Sequence, residues 1–303
     1  MMLSDEALRG ISDEWLIQER SRREIVKAGE ALCIAVEEGS LEKLNEAVAS
    51  GADVNFLSDK RLPGWKDSYV QKGTGNSALH LACWLGLDKA IIDRLLELGS
   101  DIHLKSLADG YLPIHTATNS GNVGLVELLL DKGCNPNAKD NSGSSPLTWS
   151  VFRDIKIKEI IKLLIDRGAD QSARDNDGDT CLAYASMEGH KEVVEFLLAR
   201  GADISDRDNN GYTCLALASM EGHKEVVEYL LARGADISDR NNDGHTCLAI
   251  ASLHGHIDIQ TLFRNWPVTM FIVVSHELGI YYPLDTDSFI DLLEFIGEER
   301  DYV

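Results

Sequence analysis

The chain has 303 residues, 44% of them hydrophobic, with 50 Asp and Glu against 29 Lys and Arg and a formal net charge of −21. That apolar content excludes general disorder, and no apolar run comes near the ~18–20 residues of a membrane span, runs such as Ala31–Val36 and Met270–Val274 being far too short. So acidic a surface disfavours nucleic-acid backbones and anionic lipid; it reads first as a source of solubility, with an acidic face for a basic partner as the sharper alternative.

The N-terminal stretch MMLSDEALRGISDEW carries acids rather than a basic region followed by an apolar core, so no secretory signal is read. The expected compartment is cytosol or nucleus. Ser12 is an N-cap candidate, and Trp15, Leu16, Ile25 and Val26 predict a capping helix within residues 1–29. A first helical unit follows from residue 30, EALCIAVEEGSLEKLNEAVASGADVN. Phe56–Gly73 is then a long connection holding Trp65 and Tyr69 among Lys60, Arg61, Lys66 and Lys72, a basic patch in an acidic chain. Long loops on a rigid scaffold often carry function, although a tolerated insertion explains this one too.

Beyond the insertion the chain repeats. Gly178–Asn210 reads GDTCLAYASMEGHKEVVEFLLARGADISDRDNN, and Gly211–Asp243 copies it with five differences in 33 positions. A third copy starts at Gly244 with GHTCLAIASLHGH. A fixed period of this length implies a stacked array rather than a globule around one cleft. In the reference unit Thr180 is the N-cap of a short helix with Leu182, Ala183 and Ala185 on its apolar face. Lys191–Arg200 forms a second helix with Val193, Val194, Leu197 and Leu198 inward, and Gly201 sits at C′. ADISDRDNNG then reads as an extended arm with a β-turn. The fourth unit, at Asp154–Asp170, has two extra residues and predicts a longer second helix or preceding loop. From Asn265 the repeat ends. Pro267 and Gly279 bracket an apolar helix, Asp287 opens a second, and residues 265–303 read as a helical cap or docking segment.

These units resemble the ankyrin repeat. The family pattern T-P-L-H-x-A appears as SALHLA from Ser77, LPIHTA from Leu112 and SPLTWS from Ser145, then as TCLAYA, TCLALA and TCLAIA. The GADVN arm appears at Gly51 and in related form at Gly99, Gly133, Gly168, Gly201 and Gly234. The resemblance spans residues 30–264 and implies an all-α solenoid of about six to seven helix-turn-helix units with projecting β-turns, capped by helices at both ends. The last three copies have Cys and Ala where the family has Pro and His. The resemblance gives that His a hydrogen bond to neighbouring turns, so these copies are expected to be held more by apolar packing than by the inter-repeat polar ladder.

No phosphate-binding loop, HExxH or GxSxG motif occurs, and no CxxC pair supports zinc-ribbon or thioredoxin-like chemistry. Cys181, Cys214 and Cys247 recur at the unit period and read as small buried hydrophobes in a reducing compartment rather than disulfide partners. His190 and His223 read as helix-start residues, and His254 with His256 as no metal site. The expectation is a non-enzymatic, cofactor-free and metal-free monomer that binds one or more proteins through the concave groove and turn tips. Equivalent positions align as rows along that groove: Glu37, Trp84, Asn119, Phe152, Met187, Met220 and Leu253; then Glu38, Leu85, Ser120, Arg153, Glu188, Glu221 and His254; and, after the turn glycine, Asn76, Tyr111, Ser144, Asp179, Tyr212 and His245. The partner-binding candidates are Trp84, Tyr111, Phe152, Met187, Glu188, Tyr212, Met220, Glu221, His245 and Leu253, with Trp65 and Tyr69 in the insertion. Ordinary packing between helices is the alternative for the methionines. Three other functions stay open: an adaptor whose C-terminal helices recruit machinery such as a ubiquitin ligase, a cysteine-based enzyme or redox sensor, and a spacer.

Overall fold

The structure, a computed structural model, describes residues 13–58, 75–152 and 156–266. Ser12, Trp65, Tyr69, Arg153 and the helices expected after Trp266 lie outside the described residues. The helices are α1 (Asp13–Glu37), α2 (Leu41–Ala49), α3 (Ala78–Trp84), α4 (Lys89–Glu97), α5 (Pro113–Ser120), α6 (Val123–Asp131), α7 (Pro146–Trp149, continued by a 3-10 turn Ser150–Phe152), α8 (Ile157–Asp166), α9 (Cys181–Met187), α10 (Lys191–Ala199), α11 (Cys214–Glu221), α12 (Lys224–Ala232) and α13 (Cys247–Leu253). Residues 257–266 are helical as well. These make seven helix pairs. Among the described residues no β-strand forms; the arms carry isolated antiparallel bridges such as Arg207 with Thr213 and Arg240 with Thr246.

Each unit starts where its sequence provides a cap. Thr180, Thr213 and Thr246 each accept from the backbone N–H three residues on, at 3.3 Å, and so satisfy one orphan donor of a short helix. Gly201 and Gly234, at φ +89° and +91°, end α10 and α12 in the left-handed region that glycine enters cheaply. The second helices turn Val193, Val194 and Leu197, and likewise Val226, Val227 and Leu230, into the stack, all nearly inaccessible. Full burial of such a side chain contributes about 1.5–3 kcal/mol. The cover comes from the short helix of the same unit and from the neighbouring unit, where α10 packs on α12 as α9 packs on α11.

Three local features modify the expected pattern. The first helix runs unbroken from Asp13 to Glu37, so the boundary drawn at residues 29 and 30 falls inside α1. Gly29 sits mid-helix because the Phe56 ring lies against it where a Cβ would stand. α8 has ten residues against nine in α10 and α12. The third feature is the polar contacts between units, which differ between the two halves of the array. In the N-terminal half His80 Nε2 meets Tyr111 O at 3.1 Å, and His115 Nε2 meets Ala138 O at 3.1 Å. Each Nδ1 accepts from a backbone N–H, of Ser77 at 3.3 Å and Leu112 at 3.1 Å, which makes Nε2 the donor.

Where these histidines are absent, an arginine ladder replaces them. Arg174 donates to Gly178 O at 2.8 Å, to Arg207 O at 2.6 Å and to the Asp206 carboxylate. Arg207 does the same one unit on, to Gly211 O, to Arg240 O at 2.8 Å and to Asp239. An asparagine ladder runs beside it: Asn176, Asn209 and Asn242 each donate from Nδ2 to the carbonyl of the equivalent asparagine before them, at 2.9–3.0 Å. Polar links between these units thus run through the arms as well as through the histidines that follow the short helices.

Candidate functional site

The groove rows come out with unequal exposure. Phe152, Leu85 and Leu253 are exposed, at 39%, 42% and 70%. Trp84, Met187, Met220 and Tyr212 are half-buried, and Glu188, Glu221 and His245 are exposed. Asn119 and Asn76 are buried. Met220 and Tyr212 also pack against the core, so part of their surface is structural.

Tyr111 requires a correction. It was expected at the turn tip, yet it is 1% exposed. Its ring stands edge-on to His80 at 5.7 Å and tilted against Trp149 at 5.2 Å. The bulky Trp149 of the next unit covers it, so it belongs to the aromatic packing of the array and leaves the list of contact residues.

The same geometry reveals residues that the three rows passed over. Trp149 and Tyr184 occupy the same place in successive units. Trp149 Nε1 donates to Asp140 Oδ2 at 2.8 Å, and Tyr184 Oη donates to Asp175 Oδ2 at 2.7 Å. Each ties a short helix to the turn of its own unit. The Tyr184 ring meets the exposed Phe152 ring edge-on, with centroids 5.2 Å apart. A fourth row, drawn one helical turn before the methionines, would have found both. Burial and the bond to Asp175 push the Tyr184 hydroxyl well above its ordinary pKa, so it remains a donor.

Asp179 lies beside this pair, 8% exposed. Burial first, then the charges of Asp175, Asp208 and Asp177, push its carboxyl up to about 7. Elsewhere several acids pair with bases or with hydroxyls: Glu195 with Lys191, Glu228 with Lys224, and Asp203 and Asp236 with the Ser205 and Ser238 hydroxyls.

The described cysteines are not set up as nucleophiles. All six cysteines are free and buried, and burial pushes the Cys33, Cys134, Cys181, Cys214 and Cys247 thiols up to about 12, far from the reactive thiolate. His190, His223 and His256 each direct Nε2 to a carbonyl of the preceding unit, Val151, Met187 and Met220, at 2.7–2.9 Å. The His254 ring lies nearly parallel to His256 at 6.5 Å, in the turn rather than on a helix. Among the described residues no cluster of His, Cys, Asp and Glu could hold a metal ion, and no helix is long and apolar enough to cross a membrane.

Comparison with known proteins agrees with this architecture. A family model for ankyrin repeats (3 copies) matches residues 79–175, 114–208, 155–241 and 205–265 in overlapping registers. The chain is 36% identical over 115 residues to the inactive serine/threonine-protein kinase TEX14 of Bos taurus, covering 37% of this chain and 7% of that protein. It is 37% identical over 91 residues to the B-cell lymphoma 3 protein homolog of Mus musculus, covering 30% and 20%. To Rabankyrin-5 of Homo sapiens it is 31% identical over 117 residues, covering 38% and 10%. The chain thus spans a fifth or less of each of these relatives. The repeated capped helix pairs, the glycine-ended arms and the family model matching across most of the array agree, and the chain belongs to the ankyrin-repeat family.

Proposed function

We propose that the chain is a non-enzymatic scaffold that binds a partner protein through the groove formed by its short helices and turn tips. The observation that carries this reading is the line of Phe152, Met187, Met220 and Leu253 on successive units. Phe152 and Leu253 are exposed and Met187 and Met220 half-buried, on a surface that also carries the exposed Glu188 and Glu221. Apolar strips of this kind mark binding surfaces, and Met and aromatic residues are favoured contacts. Capped helices and the arm ladders hold the strip in place before binding, which keeps the ordering cost of association low. The acidic rim of Glu188 and Glu221 steers a basic partner and repels nucleic acid and anionic lipid. The chain acts as a monomer in cytosol or nucleus.

The test compares partner capture by the wild-type chain and by Phe152→Ala/Met187→Ala/Met220→Ala, with circular dichroism on both. A folded variant that loses a specific protein held by wild type is the expected result. A folded variant that retains every partner removes the strip from function and reduces it to packing.

A further inference from the structure

The two near-identical units differ at five positions, and residues from three of these gather at one place. They are Asp179, Tyr184 and Asp208, which the next unit replaces with Tyr212, Leu217 and Asn241. Asp179 Oδ1 is buried and accepts no hydrogen bond among the described residues. Asp175 lies against it, since Asp175 Oδ1 accepts from Asp179 N at 2.9 Å while its other oxygen is taken by Tyr184. Asp208 approaches from the following arm, which is tied on by Asn209 N donating to Asp177 O at 2.9 Å, and Asp177 adds a further charge. The cation acting on Asp179 is Arg174. Its guanidinium is already committed to Gly178 O, Arg207 O and Asp206.

A buried acceptor with no donor costs about 1–3 kcal/mol, and like charges around it add to the cost. The fold does not require that cost, because Ser144 and Tyr212 stand at the same position in the flanking units. Among the described residues, the cation acting on Asp179 is the already committed Arg174. Beside the cluster, the exposed Phe152 ring and the half-buried Tyr184 offer an aromatic surface of the kind that packs against the stem of a long basic side chain.

We propose that the Asp175–Asp179–Asp208 cluster is the specificity site of the groove and receives a lysine or arginine side chain of the partner protein, with the carboxylates of Asp179 and Asp208 accepting its N–H donors. This rests on the groove reading given above and names the chemistry it selects. Binding stabilises ionised Asp179, so it releases a proton near neutral pH and tightens as pH rises from 6 to 8. Asp175, Asp177, Asp208, Arg174 and Tyr184 are the charged and titratable groups that act on it.

The test is an NMR titration of the full chain, carboxyl-labelled at aspartate, with N-acetyl-arginine methylamide and N-acetyl-lysine methylamide. N-acetyl-norleucine methylamide serves as the neutral control. The expected result is a saturable shift at Asp179 and Tyr184 with the cationic probes and none with the neutral one. Asp179→Asn should weaken binding at least tenfold while the dichroism spectrum is retained, and Asp208→Asn, which copies the following unit, should weaken it less. Non-saturating shifts spread over the acidic surface overturn the proposal, as does an Asp179→Asn chain that binds as wild type does. Neither outcome bears on the apolar strip, whose failure is read separately from partner retention by the Phe152/Met187/Met220 variant.

Discussion

Gly211→Ala should weaken the array far more than Gly234→Ala, although both glycines hold a left-handed backbone in the same unit, at φ +82° and +91°. An alanine forced into that region costs about 1 kcal/mol at either site. A Cβ on Gly234 meets nothing within 4 Å. A Cβ on Gly211 meets Asn242, 2.5 Å from its Oδ1 and 2.9 Å from its backbone N. The backbone contact cannot be relieved by a rotamer change, so the arm of the next unit must move. That movement breaks Asn242 N to Asn210 O at 2.9 Å and Asn242 Nδ2 to Asn209 O at 3.0 Å. At about 1 kcal/mol for each bond, Gly211→Ala should cost about 3 kcal/mol against about 1 for Gly234→Ala. Urea unfolding followed by far-ultraviolet dichroism gives the difference. Because arrays need not unfold in one step, amide exchange in α13 should show the same order, with protection lost first in the Gly211 variant. Equal destabilisation by the two substitutions would refute the idea that the arms lock neighbouring units through this glycine socket.

Arg207→Gln should destabilise the C-terminal units by about 1 kcal/mol, a modest figure because the pair with Asp239 is partly exposed. Raising salt should shrink the difference, and a salt-independent loss would assign the effect to the carbonyl contacts. The pH dependence should carry the mark of His80 and His115, whose pKa values burial lowers from 6.5 to about 4. The unfolded chain takes up these protons and the folded chain does not, so stability is full above pH 6.5 and is lost as pH falls toward 4. Each histidine contributes up to about 3 kcal/mol to that loss. A His80→Asn/His115→Asn chain should therefore be weaker at pH 7 but show a flatter acid limb in urea titrations, and an unchanged limb would contradict the assignment.

Local chemistry made most of the fold legible in the sequence. Threonine N-caps, glycine C′ residues and the valine and leucine spacing of the second helices act within one unit, and one unit can be read without its neighbours. What escaped notice acts between units. Arg174 pairs with Asp206, and Arg207 with Asp239, across 32 residues of separation, so neither helical spacing nor a short motif signals them. Aligning the units and asking which charges recur opposite one another would have. Tyr111 failed for a related reason. Equivalent positions were assigned equivalent exposure, but exposure depends on the size of the residue the next unit brings, and here that is Trp149. Asp179 was placed in the correct row, yet its isolation became evident only once Arg174 was seen to be occupied elsewhere.

The way the duplicated units differ connects architecture with recognition. The unit built on Gly178 and the unit built on Gly211 share every cap, every second-helix core residue and both ladder residues. The ladder residues among them are matched to neighbouring units. Divergence is confined to positions with no such obligation. Phe196 and Tyr229 exchange one aromatic ring for another, each lying beneath the arginine that ends its own helix, and Asn210 with Asp243 sits on an exposed tip. The remaining three positions bring two carboxylates and a tyrosine to one end of the exposed Phe152 ring in the first unit, and a tyrosine, a leucine and an amide in the second. Two scaffolds of the same shape thereby present a strongly acidic patch and a less acidic one side by side. A partner segment lying along the groove therefore meets a change of chemistry over one repeat, and that step fixes its register: a basic residue placed one unit too far on would find Asp208, which accepts from Tyr212 N at 2.7 Å, without a counterpart of the Asp179 carboxylate.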